Sequence, residues 1–210
     1  MRVTEIFFSI QGEGTRAGRP CVFVRFTGCD LRCVYCDTAY AFHGGKDLSR
    51  EEILREVASH PARFVLLTGG EPMLQPDLPD LARELLARGY EVAVETHGQR
   101  PLGALPREVI RIVDVKTPAS GEEARDLGYL DALAPHDEVK FVVCSEEDYR
   151  WSESVVRRHR LEGRVSVLFS PAWGQVDPKD LARWMLASGL DARLSLQLHK
   201  VIWGPDVRGV

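Results

Sequence analysis

At 210 residues the chain is long enough to bury a sizeable core and reads as one domain, 1–210. Its net charge of −4, with acidic and basic residues interleaved and no basic stripe, argues against a nucleic-acid partner and for a small substrate. Five cysteines, an odd number with three crowded together, argue against a secreted disulfide framework and for metal ligation in a reducing, cytoplasmic setting. Neither a signal-peptide apolar core at the N-terminus nor a membrane-length apolar run is present.

Thr4-Glu5-Ile6-Phe7-Phe8-Ser9-Ile10 reads as a first strand. It closes in Gln11-Gly12-Glu13-Gly14, whose two glycines allow close approach to a ligand, although alone the segment reads as an ordinary turn. Cys21-Val22-Phe23-Val24-Arg25-Phe26 is a second strand, running into Gly28-Cys29-Asp30-Leu31-Arg32-Cys33-Val34-Tyr35-Cys36-Asp37-Thr38. Ser49-Arg50-Glu51-Glu52 is a capping box that opens a helix to about Ala58, with Ile53, Leu54 and Val57 as its apolar face. A short apolar strand over 64–68 ends in Gly69-Gly70-Glu71-Pro72. Leu78, Leu81, Leu85 and Leu86 then recur at helical spacing, with Gly89 suited to C′. Further strands are expected over 92–95, 110–115, 139–143, 165–169 and 194–198, and helices over 121–132, 146–160 and 178–188.

Strands alternating with helices imply an α/β protein with a mostly parallel sheet and right-handed crossovers. Nearly every strand discharges at its C-terminal end into a polar or glycine-rich cluster, where barrels and open α/β sheets build their sites. About six units fit this length, too few for a closed eight-unit barrel. The expectation is therefore an incomplete, open (β/α)6-type barrel.

The cysteines are spaced C-x3-C-x2-C, and the next one is Cys144. As packed core they are unconvincing, because Asp30, Arg32 and Tyr35 separate them. A structural zinc site with His43 as fourth ligand competes, but such sites bring two ligand pairs close in sequence and one pair is missing. A [4Fe–4S] cluster with one open iron fits better.

The cysteine spacing after one strand and Gly69-Gly70-Glu71-Pro72 after the next resemble the radical S-adenosylmethionine (radical SAM) superfamily. Within it, Gln11-Gly12-Glu13-Gly14, Arg25, Cys36-Asp37-Thr38, Glu95-Thr96-x-Gly98, Asp114-x-Lys116 and Gln197-x-His199-Lys200 together resemble the 7-carboxy-7-deazaguanine synthases, from residue 5 to the C-terminus. The resemblance implies that Cys29, Cys33 and Cys36 hold three irons and that S-adenosylmethionine takes the fourth. It places Tyr35, Cys36, Asp37, Gly70, Glu71, Asp114, Val115, Lys116, Ser170, Pro171, Ala172 and Trp173 along that cofactor. Thr38 matches a Mg²⁺-binding hydroxyl, sensible for a hard ion that takes few protein ligands, though a local backbone hydrogen bond is the plain alternative.

The implied substrate is 6-carboxy-5,6,7,8-tetrahydropterin, met by Ile10, Gln11, Gly12, Glu13, Arg25, Thr68, Glu95 and His199. Its guanidine-like edge wants acceptors, for which Glu13 and Glu95 are candidates, and its carboxylate wants a cation such as Arg25. The implied reaction opens with reductive cleavage of S-adenosylmethionine by an external flavodoxin or ferredoxin electron. It then abstracts hydrogen from C6 of the pterin and contracts the ring with loss of ammonia, a lyase step of queuosine biosynthesis. Phe7, Phe26, Tyr35 and Trp173 are candidate shielding walls or plain core. A homodimer is also implied. In some relatives the chain stops at a proline in the place of Pro205 and its terminal carboxylate touches substrate, whereas Asp206 to Val210 follow here, so either another carboxylate, Asp206 or the Val210 terminus, takes over or the contact is absent. The rivals are a glycyl-radical-enzyme activase and a small zinc-binding module. Cys21 and Cys144 read as buried structural thiols.

Overall fold

The computed structural model describes residues 1–210. β1 (Arg2–Ile10) and β2 (Pro20–Phe26) form an antiparallel hairpin, edged by β3 (Lys46–Asp47). α1 (Arg50–Ala58) begins at the reciprocal Ser49–Glu52 capping box. β4 (Phe64–Gly69), α2 (Leu78–Ala87), β5 (Glu91–Thr96), β6 (Ile110–Asp114) and β7 (Glu138–Val143) follow. α3 (Glu146–Arg158), β8 (Ser166–Pro171), α4 (Pro178–Ser188), β9 (Arg193–Leu194) and α5 (Leu198–Trp203) complete the chain. The strands form one sheet in the order β3-β1-β2-β4-β5-β6-β7-β8-β9, parallel from β2 onward. Its edge strands β3 and β9 do not pair, so the barrel is open, as expected.

Two expected elements differ, one absent and one shortened. No α-helix forms over 121–132: Gly121 turns left-handed at φ +77°, and only 3-10 turns at Pro118–Ser120 and Gly128–Ala132 appear. Buried Asp148 near the start of α3 anchors this stretch, accepting from Thr117 Oγ1 (2.9 Å) and Ala119 N (3.0 Å). The strand expected over 194–198 stops at Leu194, because Leu198 N donates to Gly12 O (2.9 Å) and starts α5 instead.

Strand alternation stacks the barrel interior in layers. Phe23, Leu66, Ala93 and Ile110 belong to one buried apolar cluster, joined by Phe7 stacked 4.7 Å from Phe23. Two residues further along their strands stand Arg25, Thr68 and Glu95, with Arg25 opposite Thr68 in register. Outward-facing residues pack under α1 and α2 on one half and under α3 and α4 on the other. An apolar plug therefore underlies a polar layer near the strands' C-terminal ends.

The β1–β2 loop crosses beneath this interior. Arg16 pairs with Glu91 (2.6 Å) and Glu138 (2.8 Å), the first residues of β5 and β7, so the loop lies at the N-terminal ends of the parallel strands. Glu138 is buried and also accepts from Thr15 N (3.1 Å) and the Thr15 hydroxyl.

Candidate active site

A cavity of about 700 Å³ opens where these layers end. Every residue expected to meet substrate lines it: Ile10, Gln11, Gly12, Glu13, Arg25, Thr68, Glu95 and His199. So do Cys29, Cys33, Cys36 and Thr38, and, of the expected cofactor residues, Tyr35, Asp37, Gly70, Asp114, Lys116, Ser170, Ala172 and Trp173. Glu71, Val115 and Pro171 do not.

The cysteine loop is fixed by its backbone and by three strand ends. Gly28 N donates to Ala41 O (2.8 Å), Glu71 N to Gly28 O (2.7 Å) and Val34 N to Ser120 O (2.9 Å), while Glu122 Oε1 accepts from Arg32 N (2.7 Å). Asp30, beside Cys29, accepts from Arg100 and pairs with His97 Nε2 (3.0 Å). His97 Nδ1 accepts from Gln99 N (3.0 Å), which leaves the proton on Nε2 to donate to Asp30. A Cβ at Gly70 would overlap Gly28 O and sit 2.9 Å from Cys29 Cβ, and one at Gly69 (φ +147°) would overlap the Phe26 backbone. Only glycine lets β4 end this close to the cysteine loop.

Glu71 stands just outside the cavity lining. Its carboxylate is 0 % exposed and accepts from Met73 N (2.9 Å), Thr96 Oγ1 (2.8 Å) and His97 N (3.0 Å). Through these bonds the carboxylate ties β4 to β5. The Gly69–Gly70 backbone remains as the acceptor surface. Val115 and Pro171 are buried strand-end residues whose side chains belong to the wall behind the cavity.

The three thiols are half-buried and free. Burial pushes the Cys33 thiol up to about 11, with Asp114, Cys36 and Cys29 adding to the rise, and raises Cys29 and Cys36 for the same reasons. Three thiolates this close repel one another with only Lys116 to offset them, a cost that bound iron removes. No three Cys, His, Asp or Glu side chains converge on a single-ion site. A cubane cluster instead takes each thiolate on a different iron, leaving one iron without a protein ligand. Beside the loop, Tyr35 Oη and Asp114 Oδ1 are closed off from solvent with no hydrogen-bond partner. Lys116 Nζ reaches Asp114 Oδ2 (3.0 Å) and lies 5.6 Å from the Tyr35 ring. These orphaned polar atoms and the glycine-walled slot suit a polar cofactor beside the cluster.

Across the cavity Lys140, 6 % exposed, reaches Glu13 Oε2 (2.9 Å), Glu95 Oε1 (2.5 Å) and Asp114 Oδ2 (3.5 Å). Burial disfavours its charge, but the three carboxylates hold it protonated well above the usual lysine range. Burial likewise opposes ionisation of Glu13 and Asp114, yet the facing lysines keep both below the usual carboxylate range. Sequence reasoning missed Lys140. The available signal was a single lysine inside Glu138-Val139-Lys140-Phe141-Val142-Val143, a strand otherwise apolar past its first residue and covered on both faces.

Arg25 Nε donates to Glu5 (2.7 Å), which also accepts from Tyr40 Oη (2.8 Å), leaving both Arg25 Nη groups without a protein hydrogen bond. His199 sits so tightly on Gly12 that a Cβ there would overlap its Nδ1, and burial lowers its pKa. Lys200, quoted in a motif but given no role, is buried and pairs with Asp37 (2.6 Å), 5.8 Å from the Trp173 ring. Asp37 is thereby held below the usual carboxylate range despite its partial burial. Pro205, Asp206 and Val210 all line the cavity, and the Arg208 guanidinium lies 4.1 Å over the Tyr40 ring. Of the suggested walls, Phe7, Tyr35 and Trp173 line the cavity, whereas Phe26 is outer core. Cys21 is fully buried, its thiol raised to about 12 by burial. Cys144 is only half-buried, which corrects its expected burial.

The radical SAM superfamily profile matches residues 23–165. A 7-carboxy-7-deazaguanine synthase of Koribacter versatilis is 48 % identical over all of both chains, and one of Chlorobaculum tepidum is 42 % identical over all of this chain and 97 % of its own. In fold, the chain is similar to the crystal structure of QueE from Escherichia coli, with a TM-score of 0.78 and 24 % identity over 93 % of each chain. It is also similar to Streptococcus suis SuiB bound to S-adenosylmethionine, with a TM-score of 0.59 and 13 % identity over 81 % of this chain.

Proposed function

The chain belongs to the 7-carboxy-7-deazaguanine synthases of the radical SAM superfamily, and from that premise we propose how its residues serve the reaction. The enzyme converts 6-carboxy-5,6,7,8-tetrahydropterin to 7-carboxy-7-deazaguanine with loss of ammonia, as a single domain over 1–210. The observation that carries this reading is that the cysteine loop, the Gly69–Gly70 slot and the polar layer of Arg25, Thr68, Glu95 and Glu13 share one cavity. Cys29, Cys33 and Cys36 would hold a [4Fe–4S] cluster, which with S-adenosylmethionine would supply the one-electron cleavage that starts the chemistry.

The protein's own residues bind, orient and shield. Gly69 and Gly70 offer backbone oxygen to the methionyl ammonium, with Tyr35, Asp37, Asp114, Lys116, Ser170, Ala172 and Trp173 around the rest of the cofactor. The free Nη groups of Arg25 face the pterin carboxylate, and Glu13 and Glu95 accept from the guanidine-like edge. Gln11, Thr68 and His199 complete the ring's polar contacts, while Phe7, Phe23 and Leu66 close the cavity beneath it. Thr38, whose hydroxyl donates to Asp37 Oδ1 (3.0 Å), offers hard oxygen for Mg²⁺ between loop and substrate.

An external flavodoxin or ferredoxin, a homodimer and a reducing cytoplasmic setting belong to the same proposal. No helix is long and apolar enough to cross a membrane. The decisive test is anaerobic incubation of reconstituted protein with S-adenosylmethionine, reductant, Mg²⁺ and the carboxypterin. Mass spectrometry should find a ring-contracted product one ammonia lighter than the substrate. Normal S-adenosylmethionine cleavage without that product would point to an activase instead.

A further inference from the structure

We propose that Lys140 is the positioning residue that sets which ring the enzyme accepts, by holding Glu13 and Glu95 as a fixed pair of acceptors for a donor-bearing edge. This rests on the pterin reading above and extends it to a residue committed to its neighbours. Lys140 donates to Glu13 and Glu95 and pairs with Asp114 at 3.5 Å. It acts through the carboxylates it holds.

The carboxylates, by contrast, are left with capacity. Each ionised carboxylate has about four acceptor sites. Glu13 uses one on Lys140 and one on Gln197 Nε2 (2.8 Å), and Glu95 uses one on Lys140 and one on Thr68 Oγ1 at a weak 3.3 Å. Both line the cavity. They come from opposite sides, Glu13 from the floor loop and Glu95 from the end of β5, and Lys140 on β7 is the group that joins them. Stability alone does not favour one buried ammonium among three carboxylates, since apolar packing at such a place is often as stable. Two half-buried carboxylates set side by side repel one another, and Lys140 is the cation they share. A ligand presenting N–H donors, as an aminopyrimidinone does, fits the spare acceptors. One presenting a carbonyl in place of the exocyclic amino group would face unanswered oxygen lone pairs.

The test measures binding as well as turnover. Reconstituted wild type, Lys140→Met, and the double variant Glu13→Gln with Lys140→Met, which restores the local charge balance, are compared anaerobically. Equilibrium binding is measured for 6-carboxypterin and for its analogue with oxygen replacing the 2-amino group, followed by fluorescence. Wild type should prefer the amino compound by about 100-fold or more, and Lys140→Met should lose at least about tenfold of that preference. Cluster absorbance and substrate-free S-adenosylmethionine cleavage, which report whether the site has collapsed, are read alongside for Lys140→Met and should be retained. The double variant should regain melting temperature but not selectivity. An unchanged preference in a folded variant would overturn the proposal, as would loss of cluster and cleavage in both variants, which would make Lys140 merely structural. A wild-type protein that cleaves S-adenosylmethionine but binds neither ring would instead sink the pterin reading.

Discussion

Residues 28–38 are placed by the main chain and by neighbours at their border, whereas Glu13, Glu95, Asp114 and Lys140 place one another. The cysteine loop offers three thiols that burial and mutual repulsion push toward the protonated form. The opposite wall has already balanced much of its charge, with lysines set directly against carboxylates. One region needs a bound cation before its ligands are at ease; the other is organised before anything arrives. The difference suits their tasks. A cluster is assembled once and brings its own charge, while a substrate that comes and goes is best met by a preset pattern.

The comparison breaks most severely at Cys33. Cys33→Ser removes one of the three thiolates that this loop supplies. Iron content and 5′-deoxyadenosine formation should fall to background, with the protein still folded by circular dichroism. Retained cleavage would mean that the cluster is not held by this loop.

Two glycine substitutions separate the regions at the next level. Gly70→Ala presses a methyl into Gly28 O and Cys29 Cβ, atoms of the backbone and loop that cannot step aside. Overpacking of this kind costs about 1–3 kcal/mol and should displace the loop, lowering iron uptake. Gly12→Ala meets the His199 ring, a side chain that can rotate away. Iron content should then be normal, with KM for the pterin raised about tenfold by loss of the His199 position. Equal iron loss in both variants would erase the distinction.

Much of this architecture is legible in sequence, for local reasons. The Ser49 and Glu52 box, the Leu78 to Leu86 spacing and Gly89 specify their helices within a few residues. The cysteines declare themselves because one short loop supplies all three. The charged wall is different: Lys140 meets Glu13 127 residues away and Glu95 45 residues away, so no window contains the pattern. The failed helix over 121–132 and the shortened last strand have the same origin. Asp148, Gly12 and Gly121 decide those segments through distant hydrogen bonds or a left-handed turn, overriding local propensity. Glu71 was read from its motif, but its orientation depends on Thr96 and His97, a strand away.

A pH series sharpens the contrast further. Glu13 and Asp114 have lowered values in the folded chain, so their stabilisation is complete above the unfolded carboxylate values of about 4 and is lost as pH falls from there. Lys140 is raised, so its share is complete below the unfolded lysine value of about 10.4 and is lost as pH rises through its higher folded value. The raised thiols lose their share from the unfolded thiol value of about 8.5 upward, so urea unfolding of the iron-free protein should show a stability plateau between about pH 5 and 8. The same thiols govern metal uptake. Cys33, at about 11, is protonated across that plateau, so iron uptake should release protons and strengthen as pH rises. Uptake independent of pH would contradict this.

The smallest effect is expected at Thr38, where the two regions meet. Its hydroxyl is the last polar group of the cysteine loop and donates to Asp37, which is itself tied to Lys200 on α5. Thr38→Val keeps the shape and removes the oxygen. The loop's anchors at Gly28, Asp30, Arg32 and Val34 are untouched, so iron content and substrate-free cleavage should not change. Stability should move by no more than about 0.5 kcal/mol, because the hydroxyl is at the surface and its loss strands no buried partner. Mg²⁺ usually keeps several waters and can replace a single neutral ligand with another. The cost should therefore fall on the Mg²⁺ concentration needed for half-maximal turnover, raised about tenfold, with kcat at saturation nearly restored. A loss of turnover that Mg²⁺ cannot restore would place Thr38 with the loop alone. An unchanged Mg²⁺ requirement would leave its hydroxyl as a partner of Asp37 and nothing more.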